Sequence, residues 1–209
     1  MQVAARALIT LALAVAAPWA AAQVKGAPVL NIRLDGTPSF FVDGSGQVSA
    51  CGLRVFGIES LPPPRAVHRT VDVSILMGVE TVAQGIGLVK ASSIESSPAA
   101  LKANQPVRRL PVTDGWLRVP GSERTVARDG KPLKDDDDPN AVRYLADART
   151  LFAVVDAVLT GKEIEVSVVR ADAASNPVYR GLVGIEPKAR TQFVACLRDL
   201  EKRVASARR

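Results

Sequence analysis

The chain has 209 residues, 47% of them hydrophobic and 23% charged, a balance that belongs to folded globular proteins and excludes disordered and collagen-like ones. Twenty-seven Lys and Arg against 21 Asp and Glu leave a formal charge of +6, which favours solubility without marking a nucleic-acid surface. His68 is the single histidine, so metal sites that need two imidazoles are excluded, and any histidine-activated nucleophile would have to use it.

The first 22 residues have the form of a cleaved export signal. Arg6 supplies the positive start, Leu8 to Ala17 the apolar run, and Ala20-Ala21-Ala22 the small residues that precede cleavage between Ala22 and Gln23. The run is shorter than the roughly 18 residues of a membrane span, and Pro18 breaks it. Residues 23–209 are then expected to form a single β-rich domain, with 92–106, rich in Ser, Pro and Ala, as the place where two smaller domains would divide. No membrane span is expected later, because the most apolar stretch, Val71 to Val89, contains Asp72, Glu80 and Gln84.

Alternation and β-branched content predict short strands over Val29–Leu34, Ser39–Val42, Gly52–Ile58, Ala66–Met77, Ile86–Ala91, Trp116–Val119, Glu123–Arg128, Glu163–Arg170 and Val178–Ile185. Four Asp-Gly pairs, at 35–36, 43–44, 114–115 and 129–130, predict hairpin turns, since such pairs tolerate positive φ. Two helices are expected. Asp147 caps the first, whose Leu151, Phe152, Val155, Val158 and Leu159 recur at helical spacing before Gly161; the second begins near Pro187 and carries the stripe Phe193, Cys196, Leu197, Leu200, Val204. The fold class is therefore mainly β with two helices: an antiparallel β-sandwich or incomplete barrel with a docked C-terminal helix. Cys51 and Cys196 are the only cysteines, and in an exported chain an even count predicts that they pair.

The segments Thr150-Leu151-Phe152, Thr160-Gly161-Lys162-Glu163-Ile164-Glu165-Val166, Tyr179-Arg180-Gly181-Leu182-Val183 and Phe193-Val194-Ala195-Cys196-Leu197 follow the order helix, strand, turn, strand, helix with a cysteine. This stretch resembles the C-terminal part of exported bacterial β-sandwich domains, with similar tails in the invasion-associated locus B family and in envelope components of type VI secretion systems. The resemblance implies an exported β-sandwich with an interaction role and brings no catalytic residues.

The remaining motifs are incomplete. Counting from Asp136, a calcium loop would use Asp136, Asp138, Asn140, the carbonyl of Val142 and Asp147. Ala141 stands where the loop needs glycine and Asp147 where it needs the longer glutamate, so a solvated acidic loop tip is the preferred reading. Gly85-Ile86-Gly87 lacks the third glycine of a dinucleotide fingerprint, and Gly44-Ser45-Gly46 is one residue short of a nucleophile elbow. His68, in the alternating run Ala66 to Val73, reads as a polar-face residue of a half-buried strand. No catalytic residue, metal or cofactor is assigned. The expected function is that of an exported, non-enzymatic bacterial envelope protein binding other envelope proteins in a surface, secretion or conjugative-transfer apparatus. The competing expectation is an exported hydrolase using paired carboxylates.

Overall fold

Alternation of apolar and polar residues sets the longest strands: between His68 and Gly78, Val71, Val73, Ile75 and Met77 are buried while their neighbours stay half-exposed. The computed structural model describes residues 27–62, 66–103, 105–173 and 175–207, and the expected export signal, with its cleavage point at Ala22 and Gln23, lies outside the described residues. In chain order the elements are β1 (Val29–Asn31), β2 (Leu34–Val42), β3 (Val48–Ser60), β4 (His68–Gly78), α1 (Val79–Ala83), β5 (Ile86–Ser92), β6 (Ile94–Ser96), α2 (Pro98–Lys102) and β7 (Arg108–Arg109). They continue with β8 (Val112–Arg118), β9 (Leu133–Lys134), β10 (Val142–Asp147), α3 (Ala148–Leu159), β11 (Ile164–Arg170), β12 (Val178–Gly181), β13 (Val183–Gly184) and α4 (Pro187–Ala207).

The strands form two sheets that do not close into a barrel. The larger runs β13-β2-β3-β4-β5-β10-β9, with β6 beside β4 and β7 beside β6; the smaller runs β1-β12-β11-β8. The larger sheet draws strands from both sides of residues 92–106, since β10 pairs with β5. Core side chains of β4 and β5, among them Val73, Ile75 and Val89, join those of β8 and β11, among them Leu117, Val166 and Val168, in one buried cluster. At Gly115 the sheets approach closely: a Cβ there would lie 2.2 Å from that of Ala91.

Several expectations are corrected. Two pairings are parallel, β1 with β12 and β13 with β2. The cause is a corner at which two chain segments cross together from the small sheet to the large one. The Ile32 amide donates to the Arg180 carbonyl at 2.9 Å, and a Cβ on Gly181 would stand 2.0 Å from the Ile32 oxygen. The predicted strands Val29–Leu34 and Val178–Ile185 are each cut in two by this crossing. Among the described residues there are four helical segments rather than two, α1 and α2 being five-residue turns. Glu123–Arg128 forms no strand; its Thr125 hydroxyl accepts from the Leu117 amide along the edge of β8. Only two Asp-Gly pairs turn the chain. Asp43 closes the β2–β3 hairpin, and Gly130 has a φ of +88°, whereas Gly36 and Gly115 lie inside strands under side chains that leave no room for a Cβ.

Both expected helices form. The Asp147 carboxylate accepts from the Arg149 amide at the start of α3. Helix α4 buries Phe193, Cys196, Leu200 and Val204 against α1, β2 and β3. Its Cys196 is bonded to Cys51 of β3 across 145 residues of sequence. A bond across that span restricts the unfolded chain, an effect worth up to about 5 kcal/mol by loop entropy. The disulfide is consistent with an oxidising environment. Replacing both cysteines by alanine is expected to lower the unfolding free energy by about 2–4 kcal/mol, read as an earlier urea midpoint that reductant shifts in the native protein and leaves unchanged in the variant.

The outer face of the small sheet holds a second fixed feature. Glu165 is 1% exposed, and its two carboxylate oxygens accept from Arg118 and from Arg180, its register partners on β8 and β12. Burial alone would raise its pKa, but the bonds from Arg180 and Arg118 outweigh burial and hold it below the ordinary glutamate range. A depressed folded-state pKa gives stability that is present above the unfolded value of about 4.3 and lost as pH falls through the folded one. Glu165→Gln is expected to cost about 1 kcal/mol at neutral pH, because the two arginines that lose their shared anion are each over a third exposed and water screens them, and to flatten the acid limb of stability against pH, both measured by urea unfolding between pH 3 and 7.

Candidate functional site

The sequence places charges in alternation at the end of the larger sheet. Glu59 of β3 stands opposite Arg69 of β4, Arg69 opposite Glu95 of β6, and Glu95 opposite Arg108 of β7. Cross-strand pairs of opposite charge stabilise such a row. Arg69 donates to Glu95 at 2.9 Å and lies 3.9 Å from Glu59; Arg108 reaches the other Glu95 oxygen at 3.4 Å.

The small sheet faces this row with the end of β11. Past an irregularity in its pairing with β8, β11 ends at Arg170, two residues beyond the buried Val168. Between the row and the segment after Arg170 lies a cleft of about 530 Å3, lined by Val67, Arg69, Glu95, Arg108, Leu110, Arg170, Asp172, Ala173 and Ser175. That volume is within the usual range for small-molecule sites. Asp172 accepts from Arg108 at 3.4 Å. Arg170 is 4% exposed, has no carboxylate at ion-pair distance among the described residues, and lies beside the Tyr179 hydroxyl. Tyr179 in turn donates to Glu59 at 2.7 Å, and burial, together with that carboxylate, pushes its phenol above the ordinary tyrosine range.

Two carboxylates, Glu95 and Asp172, converge on this cleft, which is the arrangement a carboxylate hydrolase would need. Both are bonded to the same Arg108, and both Glu95 oxygens accept from arginine. The chemistry left over is that of N–H donors rather than of a free base.

A different surface lies on the edge of the larger sheet. Strand β13 covers β2 only at Leu34 and Asp35, and from residue 36 to 42 no described strand pairs with its outer side. Phe40, Phe41 and Val42 are exposed there, and Phe40 is the register partner of Cys51. A groove of about 700 Å3 between α3 and α4 is apolar at its floor, with Phe152, Leu197 and Leu200, and carries Arg149, Asp156, Arg198 and Glu201.

The residues singled out by sequence have other partners. His68 opens β4 and its Nδ1 lies 3.0 Å from the Ser60 hydroxyl, a pair with no carboxylate bonded to the ring among the described residues. The calcium-spaced residues are dispersed. Asp136 bonds Arg143, Asp138 bonds Arg109 and the Asn140 amide, Val142 begins β10, and Asp147 caps α3. Nor is the acidic run a solvated tip throughout, because Asp135 and Asp138 are buried and Asp135 accepts from Lys90 at 2.7 Å. Among the described residues no group of three or more His, Cys, Asp or Glu gathers as a metal site, and no helix is long and apolar enough to cross a membrane.

Sequence reasoning missed the cleft. Its one readable signal is Arg170, which falls on the parity of the buried Ile164, Val166 and Val168 and so ends a core-facing row with a cation. Comparison of the chain with protein-family models, curated proteins and solved structures returns no match.

Proposed function

We propose that this is an exported protein of a Gram-negative-type bacterial envelope that acts by holding other envelope proteins, without catalysis of its own. The observation that carries the reading is the open edge of β2, where Phe40, Phe41 and Val42 stand exposed beside unpaired main chain. An edge of that kind accepts an extended segment of a partner as an added strand, with affinity from main-chain hydrogen bonds and specificity from side chains. Pro38 removes one donor and confines such pairing to residues 39–42. Export rests on the composition of residues 1–22 and is supported by the disulfide. The β-sandwich likeness of residues 150–197 to exported interaction domains belongs to the same reading.

A photo-crosslinking amino acid at position 42, placed in the protein in its native cells, is expected to yield a discrete adduct with a different envelope protein. The double substitution Phe40→Asp, Phe41→Asp is expected to remove the adduct while costing about 1 kcal/mol of stability per site, since both rings are half-exposed and aspartate is a poor strand residue. No adduct, or one with the mass of two copies of this chain, would overturn the proposal.

A further inference from the structure

The groove between α3 and α4 has an apolar floor that holds Leu197 and Leu200, and Phe152 stands 37% exposed on its α3 side. Arg190, in the first turn of α4, donates to the Leu159 carbonyl at the end of α3. Ala148, which starts α3, lines the same groove as Ala205 near the end of α4, so the two helices run in opposite directions along it. That order sets Arg149 of α3 and Glu201 of α4 toward one end, and Asp156 of α3 and Arg198 of α4 toward the other. Asp156, Arg198 and Glu201 have no ion pair among the described residues. Arg149 is paired with Asp147 at the start of its own helix, on a side chain 93% exposed. Each rim therefore carries one cation and one anion, in reversed order on the two sides.

We propose that this face is the contact between two copies of the chain, with α3 and α4 of one packed across α3 and α4 of the other about a two-fold axis. In such a contact one patch meets itself, so its charges must match under the rotation. They match for both ways of placing the axis. An axis along the groove lays α3 over the partner's α4, which sets Arg149 against the partner's Glu201 and Asp156 against the partner's Arg198. An axis across the groove lays like helix over like helix, which sets Arg149 against the partner's Asp156 and Arg198 against the partner's Glu201. Neither brings like charges together. An unrelated helix would need four charges in that register, and an anionic lipid would face two carboxylates; a second copy supplies the match by symmetry. Phe152 of each copy then enters the apolar floor of the other, as an aromatic anchor within the patch. No residue of β2 lines the groove, so this contact is separate from the strand edge and either can fail alone.

The test is sedimentation equilibrium of the protein purified from its native cells with the disulfide intact, from nanomolar to hundreds of micromolar. A reversible equilibrium between monomer and dimer is expected. Arg198→Glu is expected to weaken the dimer about tenfold or more, because it sets like charges against each other at two symmetry-related places. Phe152→Ser is expected to weaken it as much by removing the anchor. Adding Asp156→Arg to Arg198→Glu restores the dimer if the axis runs along the groove, and adding Glu201→Arg restores it if the axis runs across. The pair Phe40→Asp, Phe41→Asp is expected to leave the equilibrium unchanged. A monomer at every concentration would overturn the proposal, as would a dimer that Arg198→Glu leaves intact, a dimer lost only with Phe40 and Phe41, or failure of both restorations. If Phe152→Ser does not fold, the charge variants decide.

Discussion

The corner at Ile32 and Gly181 is the constraint on which both sheets depend. Two segments of chain, separated by most of the sequence, cross there side by side, hydrogen-bonded to each other as they leave one sheet and enter the other. The approach of a backbone carbonyl to within 2.0 Å of where a Cβ would stand makes glycine the residue that fits at 181. Because β12 and β13 are joined through this point, Tyr179 is delivered to Glu59, and the first carboxylate of the charged row is fixed from the opposite sheet. The polar cleft is thus set by the same crossing that orders the sheets.

Helix α4 acts on the other flank. Its bond from Cys196 to Cys51 is made next to Phe40, the register partner of Cys51, and Arg203 bonds Asp43 in the turn that follows β2. The strand is therefore held on one face and at its turn while its outer edge stays unpaired. A free edge on a loose strand is a liability for aggregation; on a strand fixed in this way it is a surface of defined shape. That distinction favours recognition over accident at Phe40 to Val42.

What could be read from sequence was whatever depends on neighbours in the chain. Helix α3 was legible because Asp147, five spaced apolar residues and Gly161 form a local statement of start, face and stop. The disulfide was legible from the even count of cysteines and the expectation of export. By contrast, β10 was not expected, although Val142, Tyr144 and Ala146 alternate inward, because an acidic run precedes it and a helix cap ends it. Asp-Gly pairs signalled turns equally at four places, yet at Gly36 and Gly115 the glycine serves close packing against Val183 and Ala91, a reason that exists only in three dimensions. The cleft was illegible for the same cause: Glu59, Arg69, Glu95, Arg108 and Arg170 come from five strands, and only their register makes them a row with a cation opposite.

That opposing cation lies outside the ion pairing that orders the row. A row of alternating acids and arginines on neighbouring strands needs no ligand, for each member meets its partner and the pairs stabilise the sheet by modest amounts. The Arg118–Glu165–Arg180 cluster shows the same economy on the small sheet, with both carboxylate oxygens engaged. Arg170 breaks the rule. A leucine at its position would continue the buried parity of Ile164, Val166 and Val168 without any polar cost, whereas the arginine brings a charge that cannot be neutralised to a place where every nearby acid is already engaged. What meets it is the Tyr179 hydroxyl, which itself donates to Glu59, so the cation is tied to the row through a phenol rather than by a direct ion pair.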